Sequence, residues 1–104
     1  MYVRIVTFAL AGIDAEQYGE IAEQVAPGIR RWPGLTAKFW LADETTNTYG
    51  GVYVFESREH ADASRATEQF LGMTRNPHFA DLTIREFGVL DAPTAITAPA
   101  LARH

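Results

Sequence analysis

The sequence predicts an α+β domain with the element order βαββαβ, the split βαβ arrangement of a ferredoxin-like fold with a four-stranded antiparallel sheet. Three observations lead to this prediction. Residues 2–10 and 80–90 alternate as strands do, residues 33–55 have the pattern of a β-hairpin, and apolar residues with helical spacing follow the first and third strands. At 104 residues, the chain is near the commonest size of a single domain.

The first strand and the first helix lie in the N-terminal part of the chain. Residues 2–10 carry apolar side chains in both phases of the alternation, which predicts a strand covered on both faces. Asp14 is placed to cap a helix whose buried stripe has the three-and-four spacing. That stripe consists of Tyr18, Ile21, Ala22, Val25 and Ile29. Pro27 lies within it, so we expect the helix to kink or restart there.

The hairpin follows a turn signal at Pro33-Gly34. Residues 35–41 are rich in aromatic and apolar side chains and predict the second strand, and the polar segment 43–48 predicts its exposed connection. Residues 52–55 are β-branched and aromatic and predict the third strand. Gly50-Gly51 predicts either a β-bulge or a close approach of another group to the backbone.

A second helix and a fourth strand complete the order. Ser57 is a candidate N-cap for a helix that ends at Asn76-Pro77, and residues 80–90 alternate as the fourth strand. The apolar stripe of this helix is thin and consists of Ala61, Ala63, Ala66, Phe70 and Met73. Residues 1–92 are expected to form the domain, and residues 93–104 a C-terminal tail that is either frayed or draped on a partner.

Both helices are expected on one face of the sheet, which leaves apolar side chains on the other face. The simplest way to bury that face is against the same face of a second copy, so the pattern predicts a homodimer.

Composition excludes several classes of protein. The net charge of −4 disfavours nucleic acid as a partner, since phosphate binding needs clustered basic residues. The chain has no cysteine, which excludes disulfides, thiolate metal sites and thiol nucleophiles. No apolar run approaches membrane-spanning length and no signal peptide is recognisable, so we expect a soluble cytoplasmic protein without membrane partners.

Several motifs of the hairpin resemble the YdhR-like monooxygenases, a family of the dimeric α/β-barrel superfamily that also contains the antibiotic-biosynthesis monooxygenases. The motifs are Trp32-Pro33-Gly34-Leu35, Lys38-Phe39-Trp40, Gly50-Gly51-Val52-Tyr53-Val54-Phe55 and the helix start from Ser57 to Ala63. The resemblance implies a dimer whose two sheets face each other. It also implies oxygen insertion into a polycyclic phenolic or quinone-like substrate without flavin, haem or metal, and hence no cofactor. Two positions, Thr7 and Ser64, depart from the histidine and the aromatic residue expected there.

Cofactor-free oxygenation needs an apolar cavity, a base and a donor that holds a developing oxyanion. Lys38 and Trp40 share one face of the second strand, and Tyr53 and Phe55 share one face of the third. We therefore expect Trp40, Tyr53 and Phe55 to line a pocket for a planar ring. Tyr53 would also donate a hydrogen bond to the ligand, and Lys38 would attract a phenolate.

Three further residues are candidates for this site. Thr7, on the first strand, is a candidate substrate-binding residue, and His60 and His78 are candidate bases because their ordinary pKa is near neutral. The competing interpretation is that the aromatic residues are packing, that Lys38 extends along an edge, and that both histidines are solvated. No histidine or carboxylate spacing predicts a metal site.

Two other functions remain open from the sequence. One is a small-molecule-binding or stress-associated dimer without catalysis, and the other is a cofactor-free isomerase or cyclase on the same scaffold.

Overall fold

The computed structural model describes residues 1–101 and confirms the predicted α+β architecture. The elements, in chain order, are β1 (Tyr2–Leu10), α1 (Ala15–Arg30), β2 (Leu35–Asp43), β3 (Thr48–Phe55), α2 (Arg58–Ser64), α3 (Glu68–Arg75), β4 (Phe79–Gly88) and α4 (Asp91–Thr97). The strands form one four-stranded sheet in the order β2-β3-β1-β4, and all neighbours are antiparallel. This is the ferredoxin-like sheet that the order βαββαβ predicts. Within residues 1–101, no helix is long and apolar enough to cross a membrane.

Helix α1 begins at the predicted cap. The Gln17 backbone N–H donates to the Asp14 carboxylate at 2.8 Å, and the Asp14 backbone N–H donates to the Gln17 side chain at 2.9 Å. The helix does not restart at Pro27, because it runs without a break to Arg30. Proline removes only one backbone donor, and the buried side chain of Ile29 holds the last turn against the core.

The predicted second helix is wrong in one respect, because residues 58–75 form two helices rather than one. Ser57 caps α2 as expected, accepting from the His60 backbone N–H at 3.2 Å. Residues 65–67 then donate to carbonyls three positions back, which tightens the chain into a 3₁₀-type turn. Thr67 ends this turn and caps α3, since its hydroxyl accepts from the Phe70 backbone N–H at 3.2 Å.

The two glycines of β3 mark close approaches to the backbone. Gly50 has φ +148°, and a Cβ there would overlap the carbonyl oxygen of Val6 on β1. A Cβ at Gly51 would lie 2.7 Å from Cε of Lys38 on β2. The alternative of a bulge is wrong, because the register shifts of the sheet fall between Leu35 and Ala37 and in β1 after Thr7.

Arg4 of β1 is fully buried on the helix-covered face of the sheet. Its guanidinium donates to Glu86 of β4 at 2.7 Å, to the Ser64 hydroxyl at 2.9 Å and to the Ala61 carbonyl at 2.7 Å. Arg65 binds the second oxygen of Glu86 at 3.1 Å. The network thus connects β1 to the neighbouring strand β4 and to helix α2. In the described part of the chain, no buried side-chain N or O atom lacks a hydrogen-bond partner.

The opposite face of the sheet carries apolar side chains, and two of its aromatic residues are exposed in the described part of the chain. Phe39 is 52% exposed and Phe87 is 42% exposed. The strand register places them in two rows that cross the sheet, Phe39–Val52–Ile5–Arg85 and Ala37–Val54–Val3–Phe87.

Candidate active site

A cavity of about 230 Å³ lies between the helix-covered face of the sheet and helices α1 and α3. Its apolar wall consists of Phe8, Ile21, Ala22, Val25, Ile29, Trp32, Trp40, Met73 and Phe79. The polar groups that reach it are the side chains of Tyr18, Lys38, Tyr53, Glu68, Gln69 and Asn76. A mostly apolar concavity with a few polar groups is typical of a small-molecule site.

Aromatic rings form one side of the cavity in a fixed arrangement. Trp32 and Tyr53 are stacked with ring centroids 5.8 Å apart and planes inclined by 7°. The Trp32 indole N–H donates to the Gln69 side-chain oxygen of α3 at 3.0 Å, which fixes the orientation of the indole. Trp40 is 37% exposed and lies at the rim, where an entering ring would first contact the protein.

Lys38 extends from β2 over the two aromatic rings of the cavity. Its stem uses the space that Gly51 leaves free, and its Nζ lies 3.3 Å from the centroid of Trp40 and 4.4 Å from that of Tyr53. None of the ion pairs or hydrogen bonds found among residues 1–101 involves its ammonium group. Burial without a counter-charge lowers the pKa of Lys38 from 10.5 to about 7.

The two tyrosines of the cavity remain protonated at neutral pH. Burial raises the pKa of Tyr18 to about 12, and the neighbouring Tyr49 adds to this effect. Burial also raises the pKa of Tyr53, although the charge of Arg4 opposes the shift. Among residues 1–101, the Tyr53 hydroxyl has only the Met73 sulfur as an acceptor, at 3.9 Å, so it can donate to a stronger acceptor on a ligand.

The structure brings together three of the residues selected from the sequence, Lys38, Trp40 and Tyr53. Phe55 is fully buried behind the cavity, with its ring centroid 6.4 Å from that of Trp32, and does not line it. Thr7 belongs to the opposite face of the sheet, where its hydroxyl lies 2.6 Å from that of Thr83.

The two histidines also lie outside the cavity lining. His60 packs on Gly34, and its Nδ1 lies 2.7 Å from the Ser57 hydroxyl. His78 lies in the loop before β4, with Nδ1 2.7 Å from the carbonyl oxygen of Ala11. Within residues 1–101, no group of three or more His, Cys, Asp or Glu side chains could hold a metal ion.

Several lining residues were not selected from the sequence as site residues, although a signal existed for some of them. Tyr18, Ile21 and Met73 belong to the predicted apolar stripes of the helices, which indicated burial but not a cavity. Trp32 precedes the turn Pro33-Gly34, so its position could not be read from strand alternation.

Comparison with solved structures identifies the fold of the chain. The chain superposes on an antibiotic biosynthesis monooxygenase with a TM-score of 0.71 and 18% identity, over 86% of this chain and 99% of that one. It superposes on a variant of SnoaB, a cofactor-independent oxygenase from Streptomyces nogalater, with a TM-score of 0.69 and 19% identity, over 86% of this chain and 92% of that one. At these identities the likeness establishes the fold, that of the antibiotic-biosynthesis-monooxygenase domain.

A match to a family model identifies the family of the chain. The family described as "Putative mono-oxygenase ydhR" matches residues 4–100, so the chain belongs to that family. The resemblance found in the hairpin motifs is thereby confirmed. No match was found among curated proteins.

Proposed function

We propose that this protein is a cofactor-independent monooxygenase that oxidises a polycyclic aromatic, phenolic or quinol-type small molecule. The observation that carries the proposal is the aromatic cavity in which the Lys38 amine and the Tyr53 hydroxyl reach one apolar space. Membership of a monooxygenase family supports the reaction type.

The reaction needs no electron donor other than the substrate, and O₂ is the electron acceptor. In an anthrone-type substrate, loss of one proton gives an anion that can transfer an electron to O₂. The CH₂ group then becomes C=O with one oxygen atom, and the other oxygen atom leaves as water with both hydrogens. The substrate carbon supplies the electrons that reduce O₂, so the atoms and electrons balance.

Each part of the cavity has a role in this scheme. Trp40 and Trp32 stack against the ring system, and the apolar wall keeps water from the anion and its oxygenated product. The Tyr53 hydroxyl donates to the oxygen that becomes negative. The positive form of Lys38 pairs with the phenolate.

The volume of the cavity limits the size of the substrate that can bind. Sites for drug-sized ligands usually measure about 300–1,000 Å³. A cavity of about 230 Å³ therefore favours a compact ring system, nearer to a naphthol or an anthrone than to a tetracyclic molecule.

The first experiment is oxygen uptake by purified, metal-free protein with a panel of naphthols, anthrones and dihydroquinones. We expect uptake with stoichiometric formation of the quinone, absent with heat-denatured protein. Binding of a panel member, seen as a raised melting temperature, with no uptake at all would indicate a binding protein. Anaerobic conversion to an isomer would indicate an isomerase or cyclase.

Trp40→Ala is expected to weaken ligand binding about tenfold while the protein stays folded, since an aromatic pair contributes about 0.5–1.5 kcal/mol beyond the area it buries. Calorimetric titration with a substrate analogue measures the affinity, and circular dichroism checks the fold. Leu90→Ala is the control, because Leu90 is 79% exposed and does not line the cavity. Unfolding of Trp40→Ala would instead assign Trp40 to the fold.

We also propose that the uncovered sheet face pairs with its own copy in a homodimer. The two rows through Phe39 and Phe87 cross the sheet and are apolar apart from Arg85, and each has an exposed aromatic ring at one end. Light scattering at micromolar concentration should give the mass of a dimer, and Phe39→Asp should shift it to a monomer. Thr74→Asp, in the helix layer, should leave the mass unchanged. A monomeric wild-type protein would contradict the proposal.

A further inference from the structure

Lys38 is the only lysine of the chain, because the other eight of its nine basic residues are arginines. A guanidinium keeps its proton at any physiological pH, whereas an amine can lose its proton when it is buried. The single side chain of this chain that can become a neutral amine therefore lies in the cavity.

The other ionisable groups of the cavity are less suited to accept a proton from a phenol or an enol. Tyr18 and Tyr53 hold their own protons, since burial raises the pKa of both. Glu68 of α3 reaches the lining but is exposed to solvent. A carboxylate is also a much weaker base than an amine.

Lys38 also borders an open groove between β2 and the C-terminal half of α1, so protons can reach it from solvent. The charged residues that line this groove are Glu23, Arg30 and Arg31. None of them forms an ion pair with Lys38, since the ion pairs found in residues 1–101 involve other groups.

The surroundings of Lys38 suit both of its protonation states. Burial disfavours the ammonium in the empty cavity, which keeps a large fraction of the group neutral near pH 7. Once Nζ has taken a proton, the faces of Trp40 and Tyr53 attract the new charge, and the substrate anion becomes its counter-ion. Gly51 leaves the space that allows this position.

We propose that Lys38 is the general base of the reaction, and that its amine removes the acidic proton of the substrate within the cavity. This inference rests on the proposed function and deepens it. The C–H or O–H bond of the substrate breaks, an N–H bond forms on Nζ, and the electron pair stays on the substrate as an enolate or phenolate. The ammonium returns its proton to the bound oxygen. The second methylene hydrogen is lost as the O–O bond breaks, so the outer oxygen atom leaves as water and the carbon becomes C=O.

The test measures proton removal without oxygen, so that its outcome does not depend on oxygenation. Anthrone is incubated anaerobically with the protein in D₂O, and deuterium entering its methylene group is followed by NMR. Wild-type protein should accelerate exchange, and Lys38→Met should lower the rate by about 100-fold or more, in the range typical of a general base. Lys38→Arg keeps a positive charge but supplies no base, so it should be as slow as Lys38→Met.

Chemical rescue separates a base from a structural residue. Lys38→Ala leaves a gap that methylamine or ethylamine can enter, and either amine should restore exchange in proportion to its concentration. A purely structural role of Lys38 predicts no such rescue. If Lys38→Ala does not fold, the comparison of the Met and Arg variants still decides the question.

The outcomes distinguish this inference from the proposed function. Exchange that depends on Lys38, in a protein that never consumes oxygen, would support the base and overturn the monooxygenase. Oxygen uptake with equal exchange in wild type and Lys38→Met would overturn the base and leave the monooxygenase standing. No acceleration of exchange by wild-type protein that binds anthrone would also overturn the base.

Discussion

Arg4→Met is expected to lower the free energy of unfolding by about 3–5 kcal/mol, because it removes the buried partner of Glu86 and leaves that carboxylate only the partly exposed Arg65. Arg4 is fully buried and holds Glu86, Ser64 and the Ala61 carbonyl at 2.7–2.9 Å. A domain of this size has a total stability of only about 5–15 kcal/mol, so the loss is a large part of it. Urea denaturation measures the effect.

Two comparisons make this prediction specific. Arg58→Met removes an exposed arginine whose ion pair with Asp62 is 3.9 Å long, and it should change stability by less than about 1 kcal/mol. The double variant Arg4→Met/Glu86→Leu should recover part of the lost stability, because it also removes the partly buried carboxylate that has lost Arg4 as its partner. An Arg4→Met protein as stable as wild type would show that the network contributes nothing.

The same network predicts how stability changes in acid. Burial alone would raise the pKa of Glu86, but the hydrogen bonds and charges of Arg4 and Arg65 lower it below its ordinary 4.5. The folded state therefore holds this proton less tightly than the unfolded chain. The stabilisation is complete above about pH 4.5 and is lost as the pH falls through the lowered pKa of Glu86.

The pairing of Arg4 with Glu86 could not be predicted from the sequence. Arg4 stands in the same phase of β1 as Val6 and Phe8, and Glu86 stands in the phase of Leu82 and Ile84. The alternation thus placed each charge in a phase that also carries apolar side chains, but it did not show that the two charges point to the same face. It did not contain the antiparallel register that sets Arg4 opposite Glu86, which only the assembled sheet supplies.

For the candidate site, the sequence predicted only which side chains share a face of the same strand. Alternation alone placed Lys38 with Trp40, and the hairpin brought Tyr53 beside them. The position of Thr7 was not predictable, because both phases of β1 are apolar and either could have faced the helices. The site of His60 depends on its packing against Gly34, and that of His78 on a loop, so neither follows a periodicity.

The choice of lysine at position 38 has a consequence for stability as well as for catalysis. Placing a cation in the cavity without a counter-ion opposes folding, and the faces of Trp40 and Tyr53 offset only part of this cost. Lys38→Met keeps the length of the side chain and removes the charge. We expect it to raise the free energy of unfolding by about 1–3 kcal/mol at pH 6, after allowing for the partial exposure of Lys38.

The gain from Lys38→Met should depend on pH in a defined window. The pKa of Lys38 is about 7 in the folded protein and 10.5 in the unfolded chain. Below pH 7 both states hold the proton, and wild type carries the full cost. Between about pH 7 and 10.5 the unfolded chain holds one more proton, so wild-type stability rises with pH relative to Lys38→Met.

Urea denaturation of both proteins at closely spaced pH values measures this difference. Every other titrating group is common to the two chains, so subtracting the curves isolates Lys38. We expect the advantage of Lys38→Met to shrink from pH 7 towards pH 10.5. Lys38→Arg should show no such trend, since its guanidinium stays charged in both states. Parallel curves for wild type and Lys38→Met would mean that Lys38 keeps its ordinary pKa, and a lysine charged throughout the neutral range could not act as the base of this site.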